Sequence, residues 1–401
     1  MIVIGRRFWV LPLIASLMVS TGCVQRTVKK VNSVPAAHAE QEIASTQLLD
    51  IAITAFDPNI PDGIKEREEQ RIFPVVREAE AQFIPYQLRD TLEGTGYWGA
   101  VRVVPYHTGT TDVNVTGRIL ASDGEVLSIN VQARDATGRL WLNKNYEESA
   151  AELAYTEKLP ERVDPFQDLY NRVANDLLLE RRKLDATATR RVQQIADLRF
   201  ARDLSPERFA GYLKQDKSGR YRIARLPPQG DPILQKVDAI RERDDLLIDT
   251  LDQHYGAFKQ GMNTPYFEWR KASYTEAVSL RELKQSALLR KALGAAAIVG
   301  GIVVASKAGN SAESIAGQAG VIGGIYAVKS GFDKGKEAEI HAEALKELGA
   351  SLEADLEPQT VELEGKTVTL TGSAEAQYTQ WRALLKQIYE EETGLGAGAG
   401  S

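Results

Sequence analysis

The residues best equipped for chemistry are few and scattered. Four histidines occur in 401 residues, His38, His107, His254 and His341, and no two stand at a metal-ligand spacing such as H-x-x-x-H. The chain has no G-x-S-x-G, H-E-x-x-H, C-x-x-C or P-loop pattern, the arrangements that would supply an activated nucleophile, a zinc-bound water, a redox dithiol or a phosphate cradle. Carboxylate pairs such as Glu78/Glu80 and Asp244/Asp245 lie in charge-rich helical stretches, where a solvated face is the ordinary outcome. The aromatic set Tyr266, Phe267, Trp269 and Tyr274 has Arg270 and Lys271 between its members. Tyr266, Trp269 and Tyr274 could stack on a sugar or aromatic ligand; they could also fill the junction where a helix starts, since aromatic rings bury large areas. The expectation is a protein without catalytic residues, metal ligands or a cofactor.

One reactive group remains, the thiol of Cys23, the only cysteine of the chain. It follows a short basic start at Arg6 and Arg7, an apolar run over Phe8–Val19 containing Pro12, and the small residues Ser20, Thr21 and Gly22. Val19-Ser20-Thr21-Gly22-Cys23 resembles the signal of bacterial lipoproteins, with Ser20 where that family usually has leucine. The resemblance implies a signal peptide over residues 1–22 and fatty acylation, palmitate included, of Cys23. Each buried methylene of the acyl chains would contribute about 0.8 kcal/mol to membrane attachment. The competing reading is an uncleaved anchor helix, but a twelve-residue run rises only about 18 Å against a hydrocarbon core of about 30 Å. Val24 stands where lipoproteins kept in the inner membrane usually carry Asp, so the resemblance implies the periplasmic face of the outer membrane.

Charge narrows the partners. The formal net charge of −6 becomes −8 if Arg6 and Arg7 leave with the signal, which gives no global attraction for nucleic acid. A lone cysteine allows no disulfide within one chain, and a chain of this size needs none to bury a core.

The elements that would carry these residues follow from periodicity and turn chemistry. Residues 23–45, with Pro35-Ala36-Ala37 and few large apolar side chains, read as a flexible tether of roughly 25 Å reach. Residues 46–185 read as an α+β domain. Leu48–Phe56 alternates as a strand stopped by Asp57-Pro58; a helical stretch over about Glu66–Leu92 is interrupted by Pro74 and Pro85; Val101–Pro105 is a second strand. A meander follows over Asp112–Leu120, Glu125–Arg134 and Arg139–Tyr146, joined at Ser122-Asp123-Gly124 and Asp135-Ala136-Thr137-Gly138. A helix from Asp164-Pro165 to about Asp185 places Leu169, Val173 and Leu177 on one face. This order, with Leu49–Phe56, Trp98–Pro105 and the D-x-x-V-x-G pattern at Asp112–Gly117, resembles small α+β domains of the curli-secretion lipoproteins and of the Tol-system translocation protein. The resemblance implies a non-catalytic assembly module for protein partners.

Residues 186–230 read as a mixed, charged connector ending in Leu226-Pro227-Pro228-Gln229-Gly230. Residues 231–356 read as a long helical hairpin: one helix capped by Asp231-Pro232 to about Lys259, a break at Gly261–Pro265, a second helix to about Ala308, and a third from Ser311 to about Asp355. Its tip, 292–328, has arms without a polar face and only Lys307 and Glu313 as charges in the turn, and the arms carry glycines at seven-residue spacing, Gly294 and Gly301 on one and Gly317, Gly324 and Gly331 on the other, with Gly320 and Gly324 forming G-x-x-x-G. Each glycine costs a helix about 1 kcal/mol relative to alanine, so a stripe of them implies close backbone approach in return. The pattern resembles glycine zippers of bacterial envelope proteins. Three outcomes stay open: a soluble hairpin packed on itself, an oligomer of hairpins, or insertion of the tip into a bilayer, where a fourteen-residue run would rise about 21 Å.

Residues 357–393 read as a β-hairpin over Thr360–Thr371 followed by a helix capped by Ser373, with Gly394–Ser401 as a disordered tail. Val368-Thr369-Leu370-Thr371-Gly372-Ser373 and the helix after it are similar to half of a BON domain, which would imply a role at membrane surfaces; the alternative is a unit packed back on the base of the hairpin. The fold class expected is α+β. The function expected is a lipid-anchored scaffold that forms homo-oligomers or binds an envelope partner, with a membrane-inserting or channel-forming lipoprotein as the rival.

Overall fold

The computed structural model describes residues 33–156, 164–228, 230–301, 359–363 and 366–394. They form a mixed α/β body around a five-stranded sheet of order β2-β1-β3-β4-β5. β1 (Ile51–Thr54) is central and pairs in parallel with both β2 (Val101–Val104) and β3 (Val113–Ser122), Ile51 facing Val101 on one side and Val113 on the other. A strand flanked by parallel partners is covered on both faces, which is why Ile51, Ala52 and Ile53 form an unbroken apolar run. Ile51 and Ile53 join one core; Ala52 joins a second on the opposite face.

β3, β4 (Val126–Asp135) and β5 (Leu140–Ser149) form the expected antiparallel meander. Its turns use Gly124 (φ 82°) and Gly138 (φ 83°), the left-handed positions that favour a residue without Cβ. α1 (Ile64–Gln70) precedes α2 (Pro74–Gly94), which crosses from β1 to β2. Pro74 opens α2, where its missing N–H is free of cost, and Pro85 sits inside it without ending it.

The first core lies between the meander and α2, α3 (Gln167–Arg181) and α4 (Ala186–Leu204), with Leu169, Val173 and Leu177 of α3 fully buried. The segment expected as a connector, 186–230, contains α4, a one-turn α5 (Pro206–Phe209) and the hairpin β6 (Leu213–Gln215)–β7 (Tyr221–Ile223). Its Val192, Ile195, Ala196 and Leu198 are part of the first core, and the side chain of Asp185 caps α4 on the N–H of Ala188.

Two further expectations change. The chain between Ser33 and Ala37, expected as free tether, lies along α3: Ser33 and Val34 donate three hydrogen bonds to the buried carboxylate of Asp168 (2.7–3.1 Å), and Ala37 N donates to Asn175 Oδ1 at 2.9 Å. Side-chain amides of Asn171 and Asn175 return bonds to the carbonyls of Val34 and Pro35, so the backbone of this segment is satisfied by side chains in place of a sheet ladder.

The break expected at Gly261–Pro265 is absent. α6 runs unbroken over Pro232–Gly301, 70 residues or about 105 Å, with Pro265 inside it. Leu251, Tyr255, Phe258, Met262, Tyr266 and Trp269 form one buried stripe at spacings of three and four through that point. Burial of Met262 and Tyr266 on either side of Pro265 outweighs the roughly 3 kcal/mol that an interior proline costs a helix.

The second core joins this stripe to α2, to the end of α4 and to α7 (Ala374–Thr393), whose Tyr378, Trp381, Leu385 and Tyr389 face α6. α7 follows the hairpin β8 (Gln359–Leu363)–β9 (Lys366–Leu370) and is capped by Ser373 as expected. The C-terminal unit therefore packs on the base of the long helix. The second arm of the expected hairpin lies outside the described residues.

Candidate functional site

The described residues hold no cluster of His, Cys, Asp or Glu able to bind a metal ion, and none of their helices is long and apolar enough to cross a membrane. The most constrained polar chemistry in the body is the buried charge network at the middle of α6, the root of the stretch that continues beyond the body. Ile84 and Leu88 hold α2 against the sheet, and this presents Glu80 and Arg77, 1% and 2% exposed, to α6. Arg77 Nε lies 3.3 Å from Glu80 Oε2. Ser122, at the end of β3, donates its hydroxyl to Glu80 Oε1 at 2.5 Å, and Tyr266 of α6 donates its phenol to the same oxygen at 2.7 Å. Burial, with the Glu80 carboxylate beside it, pushes the Tyr266 pKa well above the usual phenol range, so this tyrosine remains a donor.

One turn further along α6, Arg270 pairs with Asp164 at 2.9 Å, the two side chains 3% and 8% exposed. Its guanidinium stacks on the rings of Tyr266 (4.2 Å) and Phe166 (5.5 Å). Burial alone would lower the pKa of Arg270; the Asp164 carboxylate overrides it and holds the charge.

The β3–β4 turn closes the root. A Cβ at Gly124 would stand 2.4 Å from the carbonyl of Arg270, so only glycine lets this turn approach the helix. Tyr155 donates its phenol to Gly124 O at 2.5 Å and packs its ring on Phe267 and Tyr274. Arg281 pairs with Glu125 two turns beyond Tyr274. Asp252 ties the helix to the sheet edge by accepting from Val103 N (3.1 Å) and Tyr86 (3.0 Å), with Arg89 at 3.1 Å.

This arrangement contains no nucleophile beside a base and no donors converging on an open reaction volume. Its effect is mechanical: it fixes the direction of a long helix relative to a sheet. The aromatic set expected as a possible ligand platform belongs to it. Tyr266 and Trp269 are 1% and 2% exposed and stack on each other with centroids 6.0 Å apart and planes 9° apart; Tyr274 packs against Tyr155. Tyr266 and Trp269 are core and Tyr274 is half-buried; because α6 is continuous here, they line the middle of one helix and do not fill a junction where a helix starts. Gly294 and Gly301 lie in the last turns of α6, on one face by their seven-residue spacing. Cys23, Gly317, Gly320, Gly324 and Gly331 lie outside the described residues.

Of the histidines, His107 donates its Nδ1–H to Asn114 Oδ1 at 3.1 Å, and burial beside Arg199 lowers its pKa. His38 meets the carbonyl of Gly94 far from it. An acidic cavity of about 410 Å³ opens between β1, α4 and α6, lined by Asp50, Asp112, Asp197 and Asp245 with Arg102 and Arg241. Burial raises Asp112 to a pKa of about 7, although its Oδ2 accepts from Asp50 N at 3.0 Å.

Sequence reasoning did not single out Glu80 as a network centre, nor Arg270 or Asp164 as a pair. The available signal was Arg270 itself, a charge four residues from Tyr266 on an otherwise apolar stripe. Comparison with protein-family models, with curated proteins and with solved structures finds no match.

Proposed function

We propose that this protein is a non-catalytic lipoprotein of the outer membrane, acylated at Cys23 and facing the periplasm, that serves as an assembly scaffold. The α+β body recognises an envelope partner or a sister subunit. The helix that carries Gly294 and Gly301 forms one arm of an antiparallel hairpin, and the glycine stripes of the two arms pack helices of neighbouring copies together. The observation that carries this reading is the buried Arg270–Asp164 pair with its aromatic sandwich. A helix held by desolvated charges cannot swing, and α6 continues for twenty residues, about 30 Å, beyond Arg281. A rigid arm ending in a glycine stripe suits defined association between copies.

The test is the native mass of the full chain in mild detergent, measured by light scattering, against the double variant Gly301→Leu, Gly324→Leu. The scaffold reading requires an oligomer that dissociates in the variant; a wild-type monomer, or an unchanged oligomer, sinks it. Labelled palmitate entering the wild-type chain but not Cys23→Ser tests the anchor separately. Quenching of a tryptophan placed at Val303 by brominated lipid would instead support the membrane-inserting alternative.

A further inference from the structure

A second cleft, of about 660 Å³, opens on the opposite side of α4 from the acidic cavity, between the β4–β5 turn, α4 and β7. That volume is within the range of ligand pockets, about 300–1,000 Å³. Four arginines line it, Arg139, Arg191, Arg220 and Arg222, drawn from three separate elements of a chain whose net charge is −6. Its one lining carboxylate, Asp135, is already engaged: it accepts from Trp141 Nε1 (2.8 Å), Thr137 Oγ1 (2.5 Å) and the backbone N–H of Arg139 (3.2 Å). Arg139 reaches Glu180 at 3.3 Å, but Glu180 also pairs with Lys183, and Arg222 stands 4.0 Å from Asp216. Arg191 and Arg220 are exposed and pair with no carboxylate among the described residues. Guanidinium groups gathered this way repel one another; Glu180 offsets this for Arg139 and Asp216 for Arg222, while Arg191 and Arg220 have no such carboxylate among the described residues.

The walls are fixed. A Cβ at Gly138 would stand 2.7 Å from the carbonyl of Gly219, so two glycine turns meet at the rim. Tyr221 N donates to Thr137 O at 2.8 Å, and the Tyr221 ring is held by Arg199 at 4.6 Å and Arg202 at 5.0 Å. The floor is apolar: Leu184, Ala188 and Ile223 are half-buried. A rim of planar, permanently charged forks from different elements matches separate oxygens of a tetrahedral anion better than the two coplanar oxygens of one carboxylate. The apolar floor requires that the anion carry an apolar part.

We propose that this cleft binds a phosphate-bearing amphiphile, its phosphoryl oxygens on Arg191 and Arg220 and its apolar part on Leu184, Ile223 and the Tyr221 ring. The proposal is independent of the scaffold reading. The docked Ser33 sits by Asp168, about 20 Å along α3 from the end nearest the cleft, so the site does not adjoin the start of the described chain.

Two sources share this chemistry, a lipid headgroup and a free phosphorylated molecule, and both are tested on the full chain in non-ionic detergent. Hexyl phosphate should bind saturably in calorimetry and about tenfold more tightly than inorganic phosphate, the difference set by partial burial of its methylenes. Arg191→Glu with Arg220→Glu should weaken hexyl phosphate about 100-fold with an unchanged circular dichroism spectrum, and Arg191→Lys with Arg220→Lys should weaken it about tenfold. The lysine pair carries the test should the glutamate pair not fold. Co-sedimentation with phosphatidylcholine vesicles containing phosphatidic acid, lost in the variant, would identify a headgroup; its absence beside intact hexyl phosphate binding would identify a free molecule. Hexyl phosphate binding no tighter than inorganic phosphate, or equal binding by wild type and variants, overturns the proposal.

Discussion

Arg270 and Asp164 form an ion pair across 106 residues of chain, with both side chains almost wholly removed from water. The pair ties the middle of α6 to the loop that opens α3, and Asp164 also accepts from the N–H of Phe166 at 2.8 Å, which fixes that loop. Desolvating both charges is costly, so the geometry must be kept by partners on every side, here Tyr266, Phe166 and Tyr155.

Arg270→Met should leave Asp164 buried without a counter-charge and cost about 3–5 kcal/mol in urea unfolding. The double change Arg270→Met, Asp164→Asn should cost clearly less than the sum of the two single changes, because it removes both charges. Additive losses would show that the two side chains do not act together.

Gly117 stands under the ring of Phe56, and a Cβ there would come within 2.4 Å of it. Gly117→Ala should therefore overpack the first core and lower stability by about 1–3 kcal/mol, and Phe56→Leu in the same chain should recover part of the loss. Thermal melts of the three variants decide it; a neutral Gly117→Ala would mean that the ring moves freely.

Asp112 is raised to about 7 in the folded chain by burial. The folded form thus binds this proton more tightly than the unfolded chain does, and stability contributed by the neutral carboxyl is present at acid pH and lost as pH climbs to about 7. Asp112→Asn should flatten that slope, raising stability on the order of 2 kcal/mol at pH 8 and little at pH 4. Melting temperatures at the two pH values measure it, and an equal shift at both would assign the effect to packing.

Much of the sheet was legible because its signals are local. Alternation in β3 and β4 and the glycines of their turns specify the meander, and the D-x-x-V-x-G stretch has a physical basis: Asp112 caps the start of β1 through Asp50 N, Val115 is fully buried, and Gly117 admits Phe56. The continuity of α6 was not legible, because Pro265 is a local stop signal, whereas the burial of Met262, Tyr266 and Trp269 that overrides it comes from α2 and the rest of the second core. The same holds for residues 33–37, whose composition suggests a free strand and whose anchors, Asp168 and Asn175, lie some 135 residues away. The root network and the arginine cleft share this property: each joins segments that no window of sequence brings together.

The bonds from Ser33 to Asp168 set a length limit. Cys23 precedes Ser33 by ten chain steps, a span that cannot exceed about 35 Å even if fully drawn out. A fatty group on that cysteine would moor the body by the flank where α3 begins, beside Asp164 and the emergence of the arm. Such a mooring would restrict tumbling and bias every copy in a leaflet towards one heading, before any copy meets another.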